Sequence, residues 1–147
     1  MMTQASRRHF LFGAVALVTV PWEALAAEDA VAAAVREQIG AAEIIDGGIA
    51  LRVPTVAENG GQVPVSILVD TPQNDESHAI AIHVFATRNP TPGVTSFRLS
   101  PKLARAEVQT RIRLAQDQQI IVLAQMNDGR VHRVVADIRV TTGGCLS

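Results

Sequence analysis

The single cysteine of the chain, Cys145, is the residue best suited to covalent chemistry. It follows Gly143 and Gly144, just after the last strand-like stretch of the sequence. A thiolate is a strong nucleophile, and a lone cysteine has no second cysteine in its own chain with which to form a disulfide. Cys145 is therefore an inert buried thiol, a bridge to another chain, or a reactive group.

The two glycines before Cys145 predict a thin, flexible arm, residues 143–147, which holds the thiol away from the folded body. Glycine has no side chain and wide backbone freedom. At about 3.3–3.6 Å per residue, the three residues after Thr142 place the thiol roughly 10 Å from the body. An arm of this shape can enter a narrow active site in another protein. No basic residue adjoins Cys145, so the pattern favours a carrier that is activated by its partners.

Three other interpretations of this segment stay open at the level of sequence. The cysteine can be incidental on a frayed terminus, since chain ends are often disordered. The protein can be an interaction module whose Cys145 only bridges to another chain. It can also be a thiol enzyme, which requires a base beside the thiol. We predict no metal site, because His78, His83 and His132 show no ligand spacing with Cys145.

Residues 1–26 have the features of an export signal. Ser6-Arg7-Arg8-His9-Phe10-Leu11 is a twin-arginine pattern, and the apolar run from Phe10 to Val20 is too short to span a membrane. Ala24-Leu25-Ala26 supplies the small residues that signal peptidase requires. We expect cleavage after Ala26, export to the periplasm by the twin-arginine route, and no membrane anchor.

The composition of the mature chain excludes a nucleic-acid-binding role. Without Arg7, Arg8 and Glu23, the chain keeps 11 basic and 13 acidic residues, a formal charge of −2. Nucleic-acid binding needs a clustered positive excess. Phe85 and Phe97 are the only aromatic residues after residue 26, so the chain has no stacking platform for bases.

The mature chain predicts a mainly β domain, residues 27–142, preceded by a short helix from Glu28 to Ala42. From Gly47-Gly48 onward, apolar and polar residues alternate as they do in strands. Asn127-Asp128-Gly129 is a strong hairpin signal, which predicts a return strand from Val131 to Val140. About seven short strands at intervals of roughly ten residues indicate an immunoglobulin-like antiparallel β-sandwich.

Several segments of the chain resemble the SoxY family, the sulfur-carrier subunits of the Sox thiosulfate-oxidising system. The resemblance covers the whole chain in the expected order. Besides the twin-arginine signal, its segments are Ala57-Glu58-Asn59-Gly60-Gly61-Gln62-Val63-Pro64-Val65, His83-Val84-Phe85-Ala86-Thr87-Arg88-Asn89-Pro90-Thr91-Pro92, Ala106-Glu107-Val108-Gln109-Thr110-Arg111-Ile112-Arg113-Leu114-Ala115, Met126-Asn127-Asp128-Gly129 and Val140-Thr141-Thr142-Gly143-Gly144-Cys145.

The resemblance implies a carrier that has no turnover of its own and no cofactor besides the sulfur adduct on Cys145. It implies a heterodimer with a SoxZ-like subunit, which we expect as a separate chain. It also implies a haem cytochrome that joins thiosulfate to the cysteine, a hydrolase that releases sulfate, and a sulfane dehydrogenase that oxidises the remaining sulfur. Family members typically end Gly-Gly-Cys-Gly, whereas Leu146-Ser147 follow Cys145 here.

Overall fold

The computed structural model of the protein describes residues 21–141. One helix comes first and nine strands follow it. The elements are α1 Trp22–Ile39, β1 Ile44–Asp46, β2 Ile49–Arg52, β3 Val56–Ala57, β4 Val63–Val69, β5 Ala79–Ala86, β6 Gly93–Arg98, β7 Glu107–Ile112, β8 Gln118–Met126 and β9 Val131–Val140. Within residues 21–141, no helix is long and apolar enough to cross a bilayer.

The strands form two sheets packed face to face, which confirms the predicted immunoglobulin-like sandwich. The larger sheet has the order β1-β9-β8-β5-β6, with β3 also paired to β9, and the smaller has the order β2-β4-β7. The long strands pair antiparallel, whereas β1 and β3 lie parallel to β9. The prediction of about seven strands missed β1 and β3, because three and two residues are too few to show an alternating pattern.

The core between the sheets follows from alternation along the strands. In β4 the side chains of Val63, Val65, Ile67 and Val69 are all buried, and the residues between them are more exposed. The same alternation brings the inward residues of β7, β8 and β9 together with those of β4 and β5 in one apolar cluster. Burial of each such aliphatic side chain stabilises the fold by about 1.5–3 kcal/mol.

The predicted hairpin at Asn127-Asp128-Gly129 joins β8 to β9. Gly129 has a φ of 90°, which L side chains rarely adopt, and its N–H donates to the Met126 carbonyl at 3.1 Å. Asp128 accepts from the Arg130 guanidinium at 2.6 Å. The return strand begins and ends at Val131 and Val140, as the sequence predicts.

Helix α1 packs on the outer face of the larger sheet and differs from its prediction at both ends. It begins at Trp22, directly after Pro21, and ends at Ile39. It ends there because Gly40 adopts a φ of 62° and caps the last turn through its N–H, 2.8 Å from the Arg36 carbonyl. Only Val31 and Ile39 are buried in the helix. Both lie after residue 26, so the packed part of α1 falls within the predicted mature chain.

Candidate functional site at the end of strand β9

The candidate site is the end of β9, from which the chain continues towards Cys145. The predicted attachment residue Cys145 and the predicted arm residues Gly143 and Gly144 lie outside the described residues, as does most of the predicted signal peptide. The structure therefore describes the base of the arm: the last residues of β9, Thr141, and the loops around them. Here we call this part of the molecule the arm base.

Three hydrogen bonds donated by backbone N–H groups hold the arm base in place. The N–H groups of Arg139 and Thr141 each donate at 3.0 Å, to the carbonyls of Thr55 and Ala57. Between them, the Val140 N–H donates to Asp117 Oδ1 at 2.7 Å. Every residue from Arg139 to Thr141 is thus fixed through its amide, and Thr141 stands four residues before Cys145 in the sequence.

A tight turn beneath β9 makes this arrangement possible. The Leu114 N–H donates to the Gly60 carbonyl at 2.8 Å, which brings the two backbones into contact. A Cβ on Gly60 would lie 2.5 Å from the Leu114 carbonyl oxygen and 2.8 Å from Val140 Cγ1. Glycine is therefore required here by close approach, and the segment Ala57-Glu58-Asn59-Gly60-Gly61 supports the arm base directly.

A buried amide network positions Asp117. Gln118 is 6% exposed, and its side-chain oxygen accepts from the Arg88 N–H at 2.8 Å. Its amide nitrogen donates to Asn89 Oδ1 at 2.9 Å, and Asn89 in turn donates to the Arg113 carbonyl at 2.8 Å. These bonds tie the loop after β5 to the loop before β8, and they fix the backbone next to Asp117.

A depression of about 530 Å³ lies beside the arm base on the outer face of the larger sheet. Its lining is charged and polar apart from Ile138, and comprises Arg88, Asp117, Gln118, Gln119, Asp137, Ile138 and Arg139. Asp137 accepts from the Gln119 amide at 2.9 Å. Within residues 21–141, neither Arg88 nor Arg139 forms an ion pair, since the only two pairs are Arg130–Asp128 and Arg133–Asp46.

An apolar groove of about 610 Å³ continues from this depression along helix α1. The two share Arg88 and Gln119. Val31, Val35 and Ile39 of the helix face Ile121 and Leu123 of β8 across the groove. At its far wall Arg133 donates to Asp46 at 2.6 Å, and this hydrogen bond holds the pKa of the Asp46 carboxyl below its usual range.

The three histidines named in the sequence lie apart, and each uses Nδ1 for a local contact. His78 contacts the Asn74 carbonyl at 2.8 Å, and His132 contacts the Gly47 carbonyl at 3.2 Å. His83 is buried beside Ser96 Oγ, 2.8 Å from its Nδ1, and this burial lowers the pKa of its ring. No group of three or more potential metal ligands occurs among residues 21–141.

Sequence reasoning missed the polar residues that build the arm base. Asp117, Gln118 and Asn89 act through contacts between distant loops, and no local pattern marks such contacts. The one available signal is the Asn89-Pro90-Thr91-Pro92 segment, because two prolines mark a break between strands. In the structure Asn89 lies at the centre of the network.

A family profile described as "Sulfur oxidation protein SoxY" matches residues 35–145, which is most of the chain and reaches the cysteine. The chain belongs to the SoxY family. Among solved structures, the sulfur carrier protein SoxY from Chlorobium limicola f thiosulfatophilum is 30% identical, with a TM-score of 0.66, and the match covers 78% of this chain and 98% of that one. No curated protein sequence matches the chain.

The SoxY fold is shared with structures of much lower identity. A superoxide reductase (neelaredoxin) variant from Ignicoccus hospitalis is 12% identical with a TM-score of 0.60, and the match covers 67% of this chain and 94% of that one. The superoxide reductase from Nanoarchaeum equitans is 7% identical with a TM-score of 0.51, covering 61% and 90%. At these identities the likeness concerns the sandwich alone.

Proposed function

We propose that this chain is a periplasmic sulfur carrier, which holds thiosulfate-derived sulfur covalently on Cys145 and presents it to partner enzymes. The observation that carries the proposal is the arm base. The amide N–H groups of Arg139, Val140 and Thr141 are all hydrogen-bonded, and Thr141 stands four residues before a cysteine at which the SoxY family match ends. The similarity to a structure named as a sulfur carrier protein supports the same role.

The reach of the arm suits a carrier that visits several active sites. From the fixed Thr141, Cys145 can extend by about 13–14 Å, at 3.3–3.6 Å per residue. Gly143 and Gly144 give that segment a narrow cross-section and backbone freedom. A rigid base combined with a slender arm lets the body stay outside a partner while the thiol enters it.

The electrons and atoms exchanged at Cys145 balance only when partner proteins take part in each step. This is why we propose a carrier and not an enzyme. Joining the thiolate to thiosulfate forms an S–S bond and releases two electrons, and a haem cytochrome partner accepts them. A partner hydrolase then adds water to the resulting thiosulfonate and breaks the S–S bond to its sulfonate group. This step releases sulfate and two protons, and it leaves a persulfide on Cys145. A sulfane dehydrogenase partner would oxidise that persulfide.

A SoxZ-like subunit is the proposed stable partner, and it binds the sandwich body. A segment that has to enter other active sites cannot also serve as the permanent interface. Deletion of residues 143–147 is therefore compatible with an intact heterodimer, because every hydrogen bond of the arm base involves residues up to Thr141.

The proposal also includes export of the chain to the periplasm before it meets the cytochrome. The twin-arginine pattern and Ala24-Leu25-Ala26 lie before the part of helix α1 that packs on the sheet. Cleavage after Ala26 would thus shorten α1 and leave both of its buried residues, Val31 and Ile39, in place.

The test is thiosulfate-dependent sulfate production by the chain reconstituted with its SoxZ-like, cytochrome and hydrolase partners. The Cys145→Ser variant removes only the thiol, so we expect sulfate production to be lost and the thermal melt of the body to be unchanged. Sulfate production by the Ser variant at the wild-type rate would refute the proposal.

A further inference from the structure

We propose that Asp117 is a positioning residue for sulfur loading: its carboxylate ends the pairing between β8 and β9 and so fixes the point at which the chain leaves the sheet. The inference rests on the proposed carrier function and adds one residue to it. In this role Asp117 acts on the backbone of the arm base, through the Val140 N–H, and takes no part in the chemistry of the thiol.

The register of β8 and β9 shows where their backbone pairing stops. In an antiparallel pair, only every second pair of opposite residues exchanges backbone hydrogen bonds. Met126 and Arg130 are such a pair beside the hairpin, with the Met126 N–H 2.8 Å from the Arg130 carbonyl. Along the same register Gln118 and Ile138 are another such pair, and they are the last paired residues at this end. The next exchange would fall two residues further along each strand.

Side chains occupy both backbone groups that would form this next exchange. The two residues concerned are Gln116 and Val140. The Val140 N–H donates to Asp117 Oδ1 at 2.7 Å, and the Gln116 carbonyl accepts from the Gln118 side-chain amide at 3.1 Å. Two neighbouring side chains thus replace the missing backbone bond, one on each strand. The ladder between β8 and β9 therefore ends at Gln118 and Ile138, although β9 itself continues to Val140.

On its other edge, β9 stops pairing at nearly the same level. The Thr141 N–H donates to the Ala57 carbonyl at 3.0 Å, and Ala57 is the last residue of β3. The chain after β3 then turns, with the Gln62 N–H bonded to the Asn59 carbonyl at 3.2 Å. The last hydrogen bonds on the two edges of β9 are therefore those of Val140 and Thr141, which together define one departure point for the chain.

A fixed departure point matters because loading requires the thiol to meet the reacting atoms in a partner's active site. A misplacement of about 1 Å can lower the rate of such a reaction about 100-fold. Asp117 is itself held in place, since the next residue, Gln118, is buried and accepts from the Arg88 N–H at 2.8 Å. The Asp117 side chain is exposed, so water can replace it when it is removed. Its removal should therefore loosen the strand end without unfolding the body.

The test measures loading of Cys145 in the predicted mature chain bound to its SoxZ-like subunit, with thiosulfate and the haem cytochrome partner. Mass spectrometry follows the rate at which the adduct forms. We expect Asp117→Ala to lower this rate about fivefold and to speed amide hydrogen exchange at Val140 about tenfold, because the strand end loses a charge-assisted hydrogen bond. Alkylation of Cys145 by iodoacetamide should keep its wild-type rate, since a small reagent does not require a positioned arm base.

Three matched variants separate the position of the acceptor from its charge. Asp117→Asn keeps an acceptor oxygen in the same place without the charge, so its loading rate should lie within about twofold of wild type. Asp117→Glu keeps the charge but moves the oxygens by one methylene, so it should load as slowly as the alanine variant, and it provides the test if that variant does not fold. Asp137→Ala removes the other carboxylate of the depression, which accepts from Gln119, and should change neither loading nor exchange at Val140.

Three results would overturn the positioning role. The first is a wild-type loading rate in Asp117→Ala, and the second is an equal slowing by Asp117→Ala and Asp137→Ala, which would assign the effect to charge. The third is an equal slowing of loading and of alkylation by iodoacetamide in Asp117→Ala, which would assign the effect to the thiol. Failure of the wild-type chain to load at all would instead refute the carrier function, and exchange at Val140 would still show whether Asp117 holds the strand end.

Discussion

Gly60 shows how a single residue without a side chain shapes the functional end of the molecule. Its turn sits where the Leu114 carbonyl oxygen and Val140 Cγ1 leave no space for a methyl group. We expect Gly60→Ala to destabilise the body by about 1–3 kcal/mol, as overpacking usually does. Gly93→Ala is the matched control, because nothing lies within 4 Å of its added Cβ.

Urea denaturation of both variants measures the effect, and amide hydrogen exchange at Val140 and Thr141 shows where it falls. If Gly60→Ala and Gly93→Ala were equally stable, the close approach beneath β9 would not constrain the arm base.

His83 makes the stability of the body depend on pH. Burial lowers the pKa of its ring below the ordinary 6.5, with a further lowering from the charge of Arg98 that the nearby Gln125 side chain opposes. A lowered folded-state pKa means that the unfolded chain binds the proton more tightly. Stability is therefore full above about pH 6.5 and is lost as the pH falls through the folded-state pKa.

The free energy of unfolding, measured between about pH 8 and pH 5, tests this effect. His83→Gln should flatten the acid side of the profile whatever its absolute stability. An unchanged slope in His83→Gln would assign the acid sensitivity to other groups.

At the scale of elements, a substitution in helix α1 tests which part of the N-terminal region belongs to the fold. Ile39 packs with Phe85, Leu123 and Val131 on the outer face of the larger sheet. In the predicted mature form, residues 27–147, we expect Ile39→Ala to cost about 2–3 kcal/mol of stability. Leu103→Ala is the control, because Leu103 is 41% exposed and its truncation should cost under about 0.5 kcal/mol. Equal costs would show that the shortened helix no longer packs.

The strands could be predicted because each long one alternates against a single core, and β9 was predicted to the residue. The predicted start of the helix was wrong because its first turns are rich in alanine. They have no apolar stripe along one face that would mark where the helix begins. β1 and β3 could not be found, since they exist only as additions to the edge of β9. The same limit applies at the site: Cys145 was found from composition, whereas the contacts of Asp117 and Gln118 arise between loops that the sequence does not bring together.

At the scale of the whole molecule, the sandwich presents one fixed end from which the chain leaves towards its thiol. The hydrogen bonds at Arg139, Val140 and Thr141 give this end a defined position, and the SoxY family match continues from it to Cys145. The proposed carrier function therefore depends on whether sulfur is carried at Cys145.

Peptide mapping by mass spectrometry, on chain purified without reductant from cells that are oxidising thiosulfate, tests this claim most directly. For a carrier we expect thiosulfonate and persulfide adducts on the peptide that contains Cys145, and their loss after treatment with a reductant. A free thiol alone, or a disulfide to another chain with no sulfur adduct, would contradict it and favour the adaptor interpretation.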